Sequence, residues 1–134
     1  MLTIYKTTEQ GLETLEMIAN GAWVNAIDPT PDEMEKLINW GMDMDYINYS
    51  LDQDEMARME RDEDYTFILL RIPMYQPESD VPYNTVPLGM MILGNKIITV
   101  CRYDSDIFKA LTSGKHRYLK TGKRYRLALY IFLE

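Results

Sequence analysis

Nine carboxylates lie between Asp43 and Asp64 (Asp43, Asp45, Asp52, Asp54, Glu55, Glu60, Asp62, Glu63 and Asp64), against Arg58 and Arg61. Oxygen donors at this density suit hard divalent cations, and Mg²⁺ takes one or two carboxylates while keeping most of its waters. A rim of such acids could hold a partly hydrated cation between two copies of the chain and offset their repulsion. A solvated acidic face is the other reading, and no EF-hand spacing is present. Catalytic equipment is scarce. His116, the single histidine, stands in a basic stretch with no carboxylate or serine motif beside it and reads as a surface residue. Cys101 has no histidine companion and reads as a small core residue at the end of a strand. No G-x-G-x-x-G, P-loop, H-x-x-x-H or C-x-x-C pattern occurs, so no ordinary zinc site is encoded. This is not the residue set of an enzyme.

Such carboxylates need a scaffold, and 134 residues with 46% apolar and 26% charged content supply one domain with a real core. That composition excludes a disordered chain, and a lone cysteine excludes a disulfide scaffold. One thiol and no secretory leader fit a reducing compartment. The net charge of −7 argues against nucleic acid, which demands a basic footprint. Charge is uneven: residues 1–100 hold 18 acidic and 6 basic side chains, a net of −12, whereas residues 101–134 hold 3 and 8, a net of +5. Two mutually attracting solvated faces would account for this. The longest apolar runs, Val86–Leu93 and Leu127–Leu133, fall far short of the ~20 residues that cross a bilayer.

Leu2–Lys6 alternates as a strand does, while Leu12, Leu15, Met17 and Ile18 recur at loose helical spacing before Asn20-Gly21. Ala22–Ile27 reads as a strand closed by Asp28-Pro29. A helix follows: Thr30 is a natural N-cap, Pro31 suits the first position, Glu33 completes a capping box and Gly41 ends it. Met44, Ile47 and Leu51 predict a second helix within residues 43–56. The charged stretch Glu60–Asp64 precedes a central strand, Tyr65–Ile72. Pro73–Asn84 reads as a hairpin loop, Thr85–Leu93 as a strand, Gly94-Asn95 as a tight turn and Lys96–Arg102 as the returning strand. Ser105 reads as the cap of a further helix through Leu111, closed by Gly114.

Residues 115–126 are basic, and Tyr125–Leu133 is apolar on nearly every face. A helix apolar all round needs burial on several sides, yet Glu134 follows with no glycine or proline to end it. The expectation is a chain cut inside a longer helix, with a late-docking core helix as the alternative.

In order and spacing these segments resemble the CorA-type divalent-cation transporters. Trp23-Val24-Asn25-Ala26-Ile27-Asp28-Pro29-Thr30-Pro31-Asp32-Glu33 is similar to the family's W-(I/V)-x-(I/L)-x-x-P-(T/S)-x-x-E segment. Leu51–Glu60 is similar to L-D-x-x-x-x-(P/A)-R-x-E, and Tyr65–Leu70, Pro87–Leu93 and Ile97–Val100 resemble the strands that follow. The stretch into Arg126-Leu127-Ala128-Leu129-Tyr130 resembles the start of the long stalk helix.

The resemblance implies an α+β fold: a three-layer α/β/α sandwich around a mixed, largely antiparallel sheet at residues 1–120, with a truncated stalk helix at 121–134. It also implies a cytoplasmic regulatory domain of a pentameric plasma-membrane transporter for Mg²⁺, Co²⁺ or Ni²⁺. The pore's G-M-N signature is absent, and Gly89-Met90-Met91 in a strand is no substitute. Family domains bind Mg²⁺ between neighbouring subunits, but Asn48-Tyr49-Ser50 lacks the acidic pair seen in some members. Asp45 and Asp52 are therefore the candidate metal residues. Arg58 is expected to pair with Asp52, Asp54 and Glu60 and to fix the connection before the strand. Two alternatives stand beside this: the zinc-transporting branch, and a free-standing acidic interaction domain that docks a partner helix. No catalytic residue, nucleic acid or small-molecule substrate is expected.

Overall fold

A computed structural model describes residues 1–9, 11–75 and 83–104. The expected helix after Ser105, the basic stretch with His116, the stalk segment at 121–134 and most of the Pro73–Asn84 loop lie outside the described residues.

Seven strands and two helices are described: β1 (Leu2–Thr8), β2 (Gly11–Leu15), β3 (Trp23–Ile27), α1 (Pro31–Asn39), α2 (Met44–Leu51), β4 (Arg58–Arg61), β5 (Tyr65–Tyr75), β6 (Tyr83–Leu93) and β7 (Lys96–Cys101). The strands form one mixed sheet in the order β2-β1-β3-β7-β6-β5-β4. Among the described strands only β3 and β7 pair in parallel, with Trp23 opposite Ile97 and Ile27 opposite Cys101. The architecture is α+β, as the sequence led us to expect.

Two expectations fail. Gly11–Leu15, read as helical, is β2 and pairs antiparallel with β1, Ile4 opposite Leu15 and Thr8 opposite Gly11. The sheet carries apolar clusters on both faces, so Leu12 packs against one and Leu15 against the other. Two leucines three apart fit opposite faces of a strand as well as one face of a helix. β4 also departs from expectation, because a charged R-M-E-R run serves here as a short edge strand. The β5–β6 hairpin extends to Tyr75 and Tyr83, past the strand ends read from sequence.

The α1 boundaries follow from local chemistry. Glu33 N–H donates to Thr30 Oγ1 (3.2 Å) and Thr30 N–H to Glu33 Oε1 (2.9 Å), which satisfies two orphan donors reciprocally. At the other end Gly41 N–H donates to Ile38 O (3.0 Å) and Met42 N–H to Leu37 O (3.1 Å). This paired closure needs a left-handed residue, and Gly41 takes φ +110.

Glu33 also accepts an ion pair from the Met1 ammonium at 3.2 Å. Burial acts to raise its pKa, but the Thr30 hydrogen bonds and the ammonium outweigh that and hold the carboxyl below its ordinary value. A depressed folded-state pKa gives stability that is present above the unfolded value and lost as pH falls through the folded one. Glu33→Gln should therefore melt below wild type at pH 6, with the gap closing as pH drops below about 4. Thr30→Ala should cost about 1 kcal/mol in urea denaturation.

Leu37 of α1, Met42 of the connection and Ile47 of α2 cover one sheet face, packed on Val24, Phe67, Leu69, Met91 and Ile98. The other face carries Trp23, Leu88, Met90, Ile97 and Cys101. Trp23 Nε1–H donates to Thr99 Oγ1 (2.8 Å), whose hydroxyl reaches Asn25 Oδ1 (2.9 Å), a buried polar link across the parallel β3–β7 pair.

Candidate functional site: the acidic rim of α2

Helix α2 is short and has polar ends. Asp43 is its N-cap and accepts from Asp45 N–H through Oδ1 at 2.9 Å. Asp52 is its C-cap and accepts from Asp54 N–H through Oδ1 at 3.0 Å. Both candidate metal residues, Asp45 and Asp52, are exposed. They sit seven residues apart, roughly 10 Å of helical rise, so one ion cannot be ligated directly by both. Among the described residues no three His, Cys, Asp or Glu side chains are grouped to hold a metal. Asp62, Glu63 and Asp64 lie in the β4–β5 turn, away from α2 in the chain.

The stretch Asn48-Tyr49-Ser50 has other work. Ser50 is buried and donates to Tyr46 O at 2.7 Å, and its Oγ stands where a side chain on Gly89 would begin. Gly89 thus permits α2 to approach β6. The Arg58 guanidinium lies 4.5 Å from the Tyr49 ring centroid. Arg58 does fix the connection before the strand, but its closest carboxylate is Glu55, with Glu60 at 3.9 Å. Of the expected partners only Glu60 is among these, because the Asp52 carboxylate is engaged by Asp54 N–H further along the chain. The Glu55 hydrogen bond is the main reason the guanidinium is held above its usual pKa.

An aromatic group backs this rim. Tyr46 stacks on Phe67 (centroids 4.4 Å apart) and meets Tyr65 edge-on, with the two hydroxyls 2.9 Å apart. The hydrogen bond with Tyr65, then burial and Glu60, push the Tyr46 hydroxyl well above its ordinary pKa, so it stays protonated. Burial likewise pushes the Cys101 thiol up, which disfavours the thiolate a nucleophile needs.

Sequence reasoning missed Arg71 and Arg102. Arg71 Nη1 donates to Gln53 O and Glu55 O (2.9 Å each), its Nε to Thr85 Oγ1 (2.9 Å) and its Nη2 to Thr85 O (2.7 Å). Arg102 donates to Leu51 O and stands 3.9 Å from Asp28. The signal for Arg71 was a lone charge in an otherwise apolar strand.

The whole is an acidic α+β domain in which arginines brace a carboxylate-bearing helix end against a mixed sheet. The family model for CorA-like Mg²⁺ transporter proteins matches residues 19–133, and the chain belongs to that family. The cobalt/magnesium transport protein CorA of Methanocaldococcus jannaschii is 31% identical over 102 residues, 75% of this chain and 30% of that protein. The chain thus spans under a third of that relative's length. The soluble domain of CorA from the same organism superposes with a TM-score of 0.78 at 20% identity, covering 98% of this chain and 54% of that one. The cytoplasmic domain of ZntB from Vibrio parahaemolyticus is similar in fold, with a TM-score of 0.68 at 12% identity over 87% of this chain and 49% of that one. The family is one of transporters rather than enzymes. No described helix is long and apolar enough to cross a membrane.

Proposed function

We propose that this chain is the cytoplasmic regulatory domain of a pentameric Mg²⁺ transporter, also admitting Co²⁺ or Ni²⁺, and that it senses the cation and gates a pore built by other parts of the protein. The family match over residues 19–133 carries this reading. In it Asp45 and Asp52 each offer an exposed carboxylate to a partly hydrated ion whose remaining ligands come from a neighbouring subunit. Their separation along α2 supports that division, since neither can complete a site with the other. Cation bound between subunits offsets the repulsion of two acidic rims.

A zinc-carrying version rests on the fold likeness to the ZntB domain. A free-standing interaction domain would show no response to divalent ions. Thermal melting separates the three. A ligand that binds the folded state alone raises stability by RT ln(1 + [L]/Kd), so millimolar MgCl₂ should raise Tm above a NaCl control of equal ionic strength. Asp45→Asn and Asp52→Asn should each reduce that rise. A rise with ZnCl₂ but not MgCl₂ would favour the zinc branch, and no rise with either would leave an acidic surface.

A further inference from the structure

We propose that residues 52–57 form a strap that unfolds and refolds locally over the folded sheet, and that Arg71 is the positioning residue that holds it closed. The strap joins α2 to β4 outside any strand ladder. Its own backbone bonds are local: Asp52 N–H to Tyr49 O (3.4 Å) and Glu55 N–H to Asp52 O (3.1 Å). Apolar burial contributes little, because Asp52, Gln53, Asp54 and Ala57 are exposed and Met56 is 76% exposed.

The fork of Arg71 is what ties it down. One planar guanidinium on β5 takes two strap carbonyls, Gln53 O and Glu55 O, and anchors itself on Thr85 of β6. Gln53 Nε2 adds a bond to the same Thr85 O at 2.8 Å. Among the described residues Arg71 makes no ion pair, so its charge is spent on neutral oxygens of the strap and its anchor. A lysine ammonium lacks the planar fork that spans these acceptors. Arg102 holds Leu51 O just before the strap, and Arg58, just after it, reaches back to the Glu55 carboxylate. A segment with little buried apolar surface, held by a few side-chain hydrogen bonds of which Arg71 makes the most, opens locally without the core. Because the strap begins at Asp52, its closure sets where that carboxylate stands, yet the strap does not depend on the cation reading.

Amide hydrogen exchange by NMR on the full chain tests this without any metal. In R71Q the charged bonds to Gln53 O and Glu55 O are lost, the strap unfolds locally more often, and the Asp54 and Glu55 amides, bonded to Asp52 within it, should exchange about tenfold or more faster. The Ile98 and Val100 amides of β7 should exchange as in wild type. Q53A should show a smaller acceleration confined to the same two amides. Unchanged strap exchange in R71Q overturns the proposal, as does equal acceleration in β7, which would make Arg71 a residue of global stability. Should R71Q not fold, Q53A decides alone: faster strap exchange supports the strap, and unchanged exchange overturns it.

Discussion

Gly89→Ala is expected to destabilise the domain by about 3 kcal/mol or more, seen as a lower urea midpoint and a melting temperature roughly 10 °C below wild type. A Cβ on Gly89 would stand 1.7 Å from Ser50 Oγ and 2.7 Å from Ser50 Cβ, with Phe67 at 3.3 Å on another side. Those contacts are impossible without moving α2. Ser50 cannot swing clear, because it is buried and its hydroxyl is committed to Tyr46 O. The helix must lift from β6 and disturb the packing of Ile47 against the sheet. Replacing Ser50 by glycine removes the clash at a propensity cost of about 1 kcal/mol. The double variant Ser50→Gly, Gly89→Ala should therefore be more stable than Gly89→Ala alone. If Gly89→Ala melts within a degree or two of wild type, the close approach of α2 to β6 is wrong.

Thr99→Val should cost about 3 kcal/mol although it preserves shape, because it removes the shared partner of two buried polar groups. Thr99 is fully buried, accepts from Trp23 Nε1–H and donates to Asn25 Oδ1. Valine keeps the β-branched outline and the sheet propensity but supplies neither acceptor nor donor. Thr99→Ser keeps the hydroxyl and loses one methyl, so it should cost about 1 kcal/mol. Urea denaturation followed by tryptophan emission reads both. A Val variant no less stable than the Ser variant would show that the polar link contributes nothing net. The link crosses the one parallel pair in the sheet, where a slip of one residue would turn Asn25 and Thr99 to the helix-bearing side.

Much of the frame was legible in sequence, and the reason is local chemistry. The Thr30–Glu33 capping box, Pro31 and Gly41 fix α1 through local geometry and hydrogen bonds that span five residues or fewer, so no tertiary context was needed. The hairpin at Gly94-Asn95 and the apolar run before it were clear for the same reason. β2 was misread because Leu12 and Leu15 serve opposite faces of a sheet that is apolar on both, which imitates a helical stripe. β4 was missed because an edge strand tolerates charge that a central strand does not.

The candidate site was legible only as composition. Carboxylate density pointed to α2 and its flanks, but spacing could not show that Asp45 and Asp52 occupy opposite ends of an eight-residue helix. Nor could it show that the Asp52 carboxylate accepts from Asp54 N–H, which leaves Arg58 to Glu55 and Glu60. Arg71 escaped notice because its acceptors are main-chain carbonyls, which carry no residue-type signature. The acidic pair missing at Asn48-Tyr49-Ser50 has a structural counterpart: Tyr49 lies under Arg58 and Ser50 under Gly89, so both positions serve packing.

The central claim is that the α2 rim takes a divalent cation, and paramagnetic titration with Mn²⁺ in an amide-resolved NMR spectrum addresses it directly. Mn²⁺ prefers the same oxygen donors as Mg²⁺ and broadens nearby resonances even when binding is weak. Broadening should centre on Asp45 and Asp52, reverse with excess Mg²⁺ and diminish at each end with the matching Asp→Asn change. Broadening centred instead on Asp62–Asp64, or none at millimolar Mn²⁺, would contradict it.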